Sequence, residues 1–208
     1  MTPHKIQAAM FDFGGVLADE GFKNGLYAIA RKNNKDPEEF AALARELIHT
    51  TGYLTGENDE ASYWDALRAH TGISGEDREL RGEILTRFTL REWMFDVLKK
   101  LKAGGVRLII LSDQTNWLDE LEEKHHFSFL FERVFNSYHT GKCKRDQTLF
   151  KDVLKILSLE PAEVLFVDDT KGHVERAHAV GLNTIWFQGK DAFLTGMHVL
   201  FPELVDPA

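Results

Sequence analysis

The sequence contains a single cysteine, Cys143, among its 208 residues. One cysteine forms no internal disulfide and no zinc site of several thiolates, which is typical of a reducing compartment. The chain also lacks any apolar run near the roughly 18 residues that a membrane-spanning helix needs. The opening stretch, from Met1 to Gln7, contains no secretory hydrophobic segment. These absences predict a soluble, cytoplasmic protein.

Basic residues are in the minority. The chain has 25 Lys and Arg residues against 33 Asp and Glu residues, which gives a formal net charge of -8. Without a local basic cluster, this balance argues against nucleic acid or an anionic membrane surface as a partner. With 43% hydrophobic residues, the chain can bury a substantial core, as one domain or as a core with a smaller inserted domain.

The most informative stretch runs from Ala8 to Leu17. It is an apolar run that breaks at Asp12, with Gly14 and Gly15 close behind. A continuous apolar run is typical of a parallel strand covered on both faces, and open α/β sheets bind ligands beyond the carboxyl ends of such strands. Glycine lets the backbone turn sharply there and approach a ligand. We therefore predict that a buried strand delivers Asp12 to a site; the competing interpretation is an aspartate that only caps the next helix.

The rest of the chain predicts the architecture. Residues 18–90 hold four amphipathic helical patterns and no strand, which predicts a small helical bundle. Beyond it, helical patterns alternate with apolar strand patterns at 106–111, 133–135, 164–167 and 184–187. This alternation predicts a doubly wound, mostly parallel, Rossmann-like α/β sheet. We expect a core of residues 1–17 plus 91–208, with residues 18–90 inserted as a helical cap.

Polar residues stand at the predicted ends of three core strands: Asp12, Ser112 and the pair Asp168 and Asp169. Lys144 lies in a polar loop before a later helix. Because parallel strands end at the same edge of a sheet, we expect these residues to converge. Clustered carboxylates repel one another unless a cation joins them, and carboxylate and carbonyl oxygens suit Mg²⁺. A hydroxyl and an ammonium group beside them would hold the oxygens of a phosphoryl group.

In this order the residues resemble the motifs of the haloacid dehalogenase-like hydrolase superfamily, over nearly the whole chain. The first motif is Asp12 to Leu17, the second is Ser112, and the fourth is the acidic pair after Val167. The third motif, a lysine, is Lys144, with Lys142 as the less favoured candidate. The helical insertion is similar to the small cap that family members carry between the first and second motifs.

The resemblance implies a phosphatase. A carboxylate would attack phosphorus to form an aspartyl-phosphate that water then hydrolyses, with Mg²⁺ neutralising the transferring group. The substrate would be a small phosphorylated metabolite, such as a sugar phosphate. The residues implied are Asp12 as the nucleophile; Ser112, Asp113 and Lys144 for substrate; and Asp12, Asp168, Asp169 and the backbone carbonyl of Gly14 for the metal.

Two positions depart from the family pattern. Phosphatases of the family usually carry, two residues after the nucleophile, an aspartate that protonates the leaving group, and this chain has Gly14 there. A branch resembling glucose-1-phosphate phosphatases also has glycine at that position. We predict Asp19 as the substitute catalytic acid, ahead of Glu20; helix capping is the alternative role of Asp19. His173 stands where many members have an Asp or Asn that supports the metal site.

Other interpretations stay open beside the phosphatase that we favour. A haloacid dehalogenase would use Asp12 on carbon and need neither a metal nor a leaving-group acid; Gly14 favours it and the acidic pair does not. A catalytically weakened member of the family would keep only a phosphate or partner site. Cys143 could form a nucleophile pair with His139, but the loop spacing does not show contact between them, and we expect both to be incidental.

Overall fold

A computed structural model describes residues 5–205, and the structural statements below concern this range. Within it, the strands are β1 Ala8–Phe11, β2 Arg107–Ser112, β3 Arg133–Asn136, β4 Val164–Asp168 and β5 Asn183–Trp186. They form one sheet in the order β3-β2-β1-β4-β5, so the first strand of the chain lies in the middle. All neighbouring pairs are parallel. The sheet confirms the predicted Rossmann-like α/β fold.

Helices cover both faces of this sheet. The α-helices of the described range are α1 Gly21–Lys32, α2 Pro37–Thr50, α3 Glu60–Thr71, α4 Asp77–Leu85, α5 Glu92–Ala103, α6 Trp117–His125, α7 Ser137–Thr140, α8 Thr148–Leu157, α9 Lys171–Val180 and α10 Lys190–Leu200. Short 3-10 helices cover Ser128–Leu130 and Pro161–Glu163. None of the helices in residues 5–205 has the length and apolar character needed to cross a membrane.

Strand β1 explains why the sequence shows an unbroken apolar run. Ala8 and Met10 pack in a hydrophobic cluster with residues of α8 and α9 on one face of the sheet. Ala9 and Phe11 pack on the other face, in a cluster with residues of α5 and α6. Both faces are covered, so every position of the strand must be apolar. The strand ends at Phe11, and the rest of the predicted run forms a buried turn.

Four helices, α1 to α4, occupy residues 21–85, inside the predicted cap. Aromatic packing joins them to the sheet layer: Trp64 of α3 stacks on Trp117 of α6 with ring centres 5.9 Å apart. Tyr53 packs edge-on against Trp117 at 5.7 Å, and its hydroxyl donates to Asn116 Oδ1 at 2.6 Å. The helical segment therefore shares one continuous hydrophobic core with the sheet. The cap boundaries at residues 18 and 90 remain a prediction.

Local sequence sets the ends of helices in this segment. Asp36 precedes α2, and its carboxylate accepts the backbone N–H of Glu39 at 2.9 Å. Pro37 follows as the first helical residue, where its missing N–H costs no hydrogen bond. Helix α3 ends before Gly72, whose backbone is left-handed with φ of 66°. These capping residues are the signals that make the helical pattern readable in the sequence.

Candidate active site

The carboxyl ends of β2, β1 and β4 lie side by side, because these strands are neighbours in the sheet. Asp12 directly follows β1, Ser112 is the last residue of β2, and Asp168 is the last residue of β4, with Asp169 next in the chain. The buried side chain of Lys144 reaches both Asp12 and Asp168. The structure therefore brings these residues together at the edge where the sequence predicts them.

The two oxygens of the Asp12 carboxylate are in different environments. Oδ1 accepts the backbone N–H of Phe13 at 2.8 Å and the hydroxyl of Ser112 at 2.9 Å, and it lies 2.8 Å from Lys144 Nζ. Among residues 5–205, Oδ2 has no hydrogen bond. Burial raises the pKa of Asp12 to about 6, although the Lys144 ammonium acts in the opposite direction. One oxygen is thus anchored and the other is free to react or to bind a cation.

Lys144 is the cation at the centre of the site. Its side chain is fully buried, and Nζ lies 2.6 Å from Asp168 Oδ2 as well as near Asp12. Burial disfavours its charge, but the neighbouring carboxylates outweigh that effect and raise the pKa of Lys144 above its ordinary value. The competing candidate Lys142 lies at the surface, where Nζ contacts Thr148 Oγ1 and Asp152. Lys144 is therefore the lysine that the structure places in the site.

Carboxylate oxygens of Asp12, Asp168 and Asp169 lie within 4.8 Å of one another. Burial alone would raise the pKa of Asp168, but the Lys144 ammonium and His173 outweigh it and lower this pKa to about 2. For Asp169, burial and the charges of Asp12, Asp168 and Glu20 raise the pKa to about 7. The raised pKa values of Asp12 and Asp169 come mainly from burial, which the nearby positive charge does not fully offset.

The close approach of Gly15 to Asp169 completes this part of the site. Gly15 has a left-handed backbone with φ of 80°, and a Cβ at this position would lie 2.1 Å from Asp169 Oδ2. Only glycine satisfies both the conformation and the space. The turn after β1 is therefore shaped to let the Asp169 carboxylate lie against the backbone next to Asp12.

These residues fit a divalent cation. Mg²⁺ prefers oxygen ligands, of which one or two are carboxylates and the rest are waters or substrate oxygens. Asp12 Oδ2 and the Asp169 carboxylate are the undercompensated oxygens of the cluster. Asp168 already accepts hydrogen bonds from Lys144 Nζ at 2.6 Å and the backbone N–H of Thr170 at 2.7 Å. The metal-binding roles of Asp168 and of the Gly14 carbonyl stay predictions.

Asp113 and His173 hold the main groups of the site in place. The Asp113 carboxylate accepts the backbone N–H of Lys144 at 2.9 Å, which fixes the loop that carries this lysine. Nδ1 of His173 lies 3.2 Å from Asp168 Oδ2, where a histidine N–H donates to the carboxylate. The sequence identified position 173 only as a departure from the family, and this contact shows what its side chain does. The substrate-binding role of Asp113 stays a prediction.

Asp19 and Glu20 have opposite surroundings although they are neighbours in the chain. Asp19 pairs with Arg91 at 3.2 Å, and its side chain is 54% exposed. Glu20 is half-buried, and its Oε2 lies 3.7 Å from the point where a Cβ of residue 14 would stand. The sequence favours Asp19 as the substitute acid, whereas the structure places the carboxylate of Glu20 beside Gly14.

Cys143 does not pair with the histidine that the sequence suggests. His139 lies 2.9 Å from Asp119 Oδ2, and Cys143 Sγ lies 4.0 Å from Nδ1 of a different histidine, His49. Burial raises the pKa of the Cys143 thiol, which disfavours the thiolate that a nucleophile requires. The structure thus contradicts the Cys143 and His139 pair and agrees with incidental roles.

A cleft of about 420 Å³ adjoins the site, between α1 and α2 on one side and the sheet edge on the other. The side of the cleft at the sheet edge is lined by Asp113, Gln114 and Thr170, which follow Ser112 and Asp169 in the chain. Other residues of its wall were not singled out from the sequence, because helical patterns do not reveal which residues of the insertion face the sheet. They are the apolar Phe22, Ile48, Leu54 and Trp117 and the basic Arg45, Arg145 and Arg176.

One edge of the parallel sheet thus brings together a buried carboxylate, hydroxyl and lysine beside an acidic pair. A sequence model of the haloacid dehalogenase-like hydrolase family matches residues 6–181. The chain belongs to this family, as the order of its motifs predicts.

Two named relatives show how the match is distributed. The chain is 30% identical over 97% of its length to "Bifunctional epoxide hydrolase 2" of Sus scrofa, of which the match covers 41%. It is 25% identical over 64% of its length to "Flavin mononucleotide hydrolase 1" of Arabidopsis thaliana, with 57% of that protein covered. The chain thus matches well under two thirds of the length of either relative.

Solved structures share the fold at lower identity. A haloacid dehalogenase family enzyme of Bacteroides thetaiotaomicron, crystallised with magnesium and inorganic phosphate, aligns with a TM-score of 0.66 at 21% identity, over 89% of this chain and 96% of that one. L-2-haloacid dehalogenase of Xanthobacter autotrophicus aligns with a TM-score of 0.65 at 20% identity, over 97% of this chain and 85% of that one. Identities this low establish the common fold alone.

Proposed function

We propose that this hydrolase is a Mg²⁺-dependent phosphatase that cleaves a small phosphate ester through an aspartyl-phosphate on Asp12. The observation that carries the proposal is the Asp12 carboxylate, with Oδ1 anchored by Ser112 and Lys144 and with Oδ2 free of hydrogen bonds in the described residues. A carboxylate held in this way is a preorganised nucleophile. The relative named as a flavin mononucleotide hydrolase supports a small phosphorylated substrate.

The reaction proceeds in two displacements. The Asp12 carboxylate attacks phosphorus, the ester P–O bond breaks, and the leaving oxygen takes up a proton to depart as an alcohol. Water then attacks the phosphorus of the aspartyl-phosphate, which releases inorganic phosphate and restores the Asp12 carboxylate. The Lys144 ammonium and the Ser112 hydroxyl bind the phosphoryl oxygens; for this the single hydroxyl proton of Ser112 turns from Asp12 Oδ1 to the substrate. The buried position of Lys144 strengthens its electrostatic effect.

Asp12, Asp169 and the carbonyl of Gly14 are the groups that we assign to hold the metal, with Asp168 supporting them. Bound Mg²⁺ supplies positive charge that stabilises the transferring phosphoryl group. The undercompensated charges of Asp12 and Asp169 support this assignment. The Bacteroides enzyme crystallised with magnesium and inorganic phosphate has the same fold and gives independent support.

We propose residues 18–90 as a cap that sets the substrate size, over a core of residues 1–17 plus 91–208. The cleft between them, at about 420 Å³, has room for a small organic phosphate. Its wall combines apolar side chains, such as Phe22 and Trp117, with the basic Arg45 and with Arg145, which is paired with Glu46 of the same wall at 3.3 Å. A phosphate ester with a compact organic group suits this composition.

A haloacid dehalogenase is the second candidate, and Gly14 is the observation that favours it. This reaction needs no acid two positions after the nucleophile and no metal. The dehalogenase reaction does not explain why the carboxylates of Asp12 and Asp169 lie close together, because it needs no cation to compensate their negative charges. The acidic cluster therefore favours the phosphatase.

The test measures phosphate release from a panel of phosphate esters and halide release from haloacids, each with Mg²⁺ and with EDTA. We expect Mg²⁺-dependent phosphate release that Asp12→Asn abolishes, because the amide keeps the size of the side chain and removes its nucleophilic charge. Asp96→Asn is the matched control, since Asp96 is an exposed carboxylate on α5 that contacts Lys99. Halide release would establish the dehalogenase, and release of neither product would indicate a binding protein.

A further inference from the structure

The absence of a side chain at Gly14 leaves a specific position in the site, and the structure shows which groups surround it. A Cβ at residue 14 would lie 3.3 Å from Phe88 Cε1, 3.4 Å from Gln114 Nε2 and 3.7 Å from Glu20 Oε2. Glu20 is therefore the carboxylate that stands at this position. Gln114 also lines the cleft, so the position beside Gly14 adjoins a residue of the cleft wall.

One oxygen of the Glu20 carboxylate accepts a hydrogen bond, and the other accepts none within the described residues. Glu20 is the N-cap of α1, and Oε1 accepts the backbone N–H of Lys23 at 2.9 Å. Among residues 5–205, Oε2 has no hydrogen bond or ion pair. The capping bond holds the side chain in one orientation, with the free oxygen beside Gly14. A fixed, partly buried carboxyl next to the nucleophile's turn is what a proton donor requires.

Asp19 differs from Glu20 in its exposure and in its cationic partner. Its carboxylate pairs with the Arg91 guanidinium at 3.2 Å, and more than half of the side chain is exposed. Arg91 also donates to the backbone carbonyl of Ala18 at 2.9 Å, so this arginine and its partner brace the chain where it leaves the sheet. The ion pair with Arg91 therefore gives Asp19 a role at the start of the helical insertion.

We propose that Glu20 is the catalytic acid of this hydrolase and supplies, from the first turn of the helical insertion, the carboxyl group that Gly14 lacks. This inference rests on the proposed phosphatase function. The Glu20 carboxyl group gives a proton to the leaving oxygen as the ester P–O bond breaks, and the resulting carboxylate then removes a proton from the water that attacks the aspartyl-phosphate. One proton is given and one is regained, so each turnover restores both Glu20 and Asp12.

The test uses two substrates of similar shape whose leaving groups differ in basicity. Phenyl phosphate releases a phenolate whose conjugate acid has a pKa of about 10, so its departure benefits from a proton. The nitro group of 4-nitrophenyl phosphate stabilises the leaving anion, so its departure needs little protonation. For Glu20→Gln we expect kcat/KM to fall by about 10²–10⁴-fold on phenyl phosphate and to change little on 4-nitrophenyl phosphate.

Glu20→Gln keeps an oxygen that can accept the Lys23 N–H, so the helix cap is retained while the acid is lost. Glu76→Gln is the matched control, because Glu76 is the exposed N-cap residue of α4 and lies outside the cleft. It should leave both rates unchanged. Melting temperatures of all variants identify any loss that comes from unfolding.

A second variant tests whether a carboxyl group at position 14 can act as the catalytic acid in place of Glu20. The backbone of Gly14 is outside the left-handed region, and the nearest atoms to an added Cβ belong to side chains, at 3.3 Å and beyond. The double variant Gly14→Asp with Glu20→Gln should therefore recover a large part of the phenyl phosphate activity. Recovery of this kind is not expected if Glu20 only caps α1.

The outcomes separate the acid from the overall function. If the wild-type protein hydrolyses neither ester, the phosphatase proposal fails and the acid proposal falls with it. If the wild type hydrolyses both and Glu20→Gln slows both equally or neither, the phosphatase stands and Glu20 is not the acid. A selective loss in Asp19→Asn, with Glu20→Gln unaffected, would assign the role to Asp19.

Discussion

The Lys144 ammonium lies 2.8 Å from Oδ1 of Asp12, with the lysine side chain fully buried and that of Asp12 13% exposed. This contact joins the third motif of the family to the first across the sheet edge. Its cation also compensates Asp168, so one buried positive charge serves two carboxylates. We therefore expect removal of the Lys144 ammonium to lower both the stability and the activity of the protein.

Lys144→Met tests that dependence. Truncating one partner of a buried ion pair leaves the other charge uncompensated and typically costs about 3–5 kcal/mol. We expect a loss of this size in the free energy of unfolding, measured by urea denaturation, and no phosphatase activity. Lys142→Met is the matched control at the surface, where the pair with Asp152 should contribute less than about 1 kcal/mol. Equal losses in the two variants would contradict the central position of Lys144.

Gly15→Ala tests the close approach of the Asp169 carboxylate. The new methyl group would lie 2.1 Å from Asp169 Oδ2, in addition to the strain of a left-handed backbone at φ of 80°. Gly105→Ala is the matched control, because Gly105 has φ of 85° and no atom within 4 Å of an added Cβ. The control should lose only the backbone term of about 1–2 kcal/mol.

We expect Gly15→Ala to lose more stability than this control in urea denaturation, and also to weaken the thermal stabilisation by Mg²⁺. The second effect is specific, because only Gly15 lies against a residue assigned to the metal. A Mg²⁺ response equal to that of Gly105→Ala would contradict the assignment of Asp169.

Thermal stabilisation by Mg²⁺ should depend on pH. The folded protein holds protons on Asp12 up to a pKa of about 6 and on Asp169 up to a pKa of about 7, against an ordinary value of 3.8. These groups therefore stabilise the metal-free fold most below their ordinary pKa, and this contribution is lost as pH rises through the raised values. Mg²⁺ compensates the ionised carboxylates but competes with their protons.

We expect Mg²⁺ to raise the melting temperature more at about pH 8 than at about pH 5.5, because the metal must displace protons at the lower pH. Calorimetric or fluorescence melting curves measure the difference. In the Asp169→Asn variant, we expect most of this difference between the two pH values to disappear. A Mg²⁺ shift of the same size at both pH values in the wild type would argue against these carboxylates as the binding groups.

Substrate size is the fourth prediction, and it follows from the cleft of about 420 Å³. Small phosphate esters should have much higher kcat/KM than a phosphorylated protein such as casein, because the helical insertion limits access to Asp12 and excludes water. Phosphate release from both substrates at matched phosphate concentration gives the ratio. Comparable rates would mean that residues 18–90 do not close over the site.

The architecture was predictable because it depends on patterns that the sequence displays directly. The apolar run of β1 reports burial on both faces, and the alternation of strands and helices after residue 91 indicates a parallel sheet. Convergence of Asp12, Ser112 and Asp168 then follows from sheet geometry, because the ends of neighbouring parallel strands meet at one edge. The structure brings these side chains together as that argument predicts.

Sequence patterns do not show how side chains are oriented in turns. Asp19 and Glu20 are adjacent, and the sequence favours the first, yet a helix cap turns Glu20 toward Gly14 and an arginine holds Asp19 away. The contact of His173 with Asp168 likewise depends on the orientation of the first turn of α9. No periodicity encodes such orientations, because they follow from tertiary contacts between distant segments.

The order of the strands has a consequence for how the molecule forms. Ser112 donates to an aspartate 100 positions earlier in the chain, and the acidic cluster needs residues from both β1 and the end of β4. Asp12 lies near the start of the chain, whereas Lys144, Asp168 and Asp169 lie in its second half, so the acidic cluster cannot form before residue 169 has been synthesised. Contacts of such long range form late and slowly. Recovery of activity during refolding would therefore report completion of the central sheet.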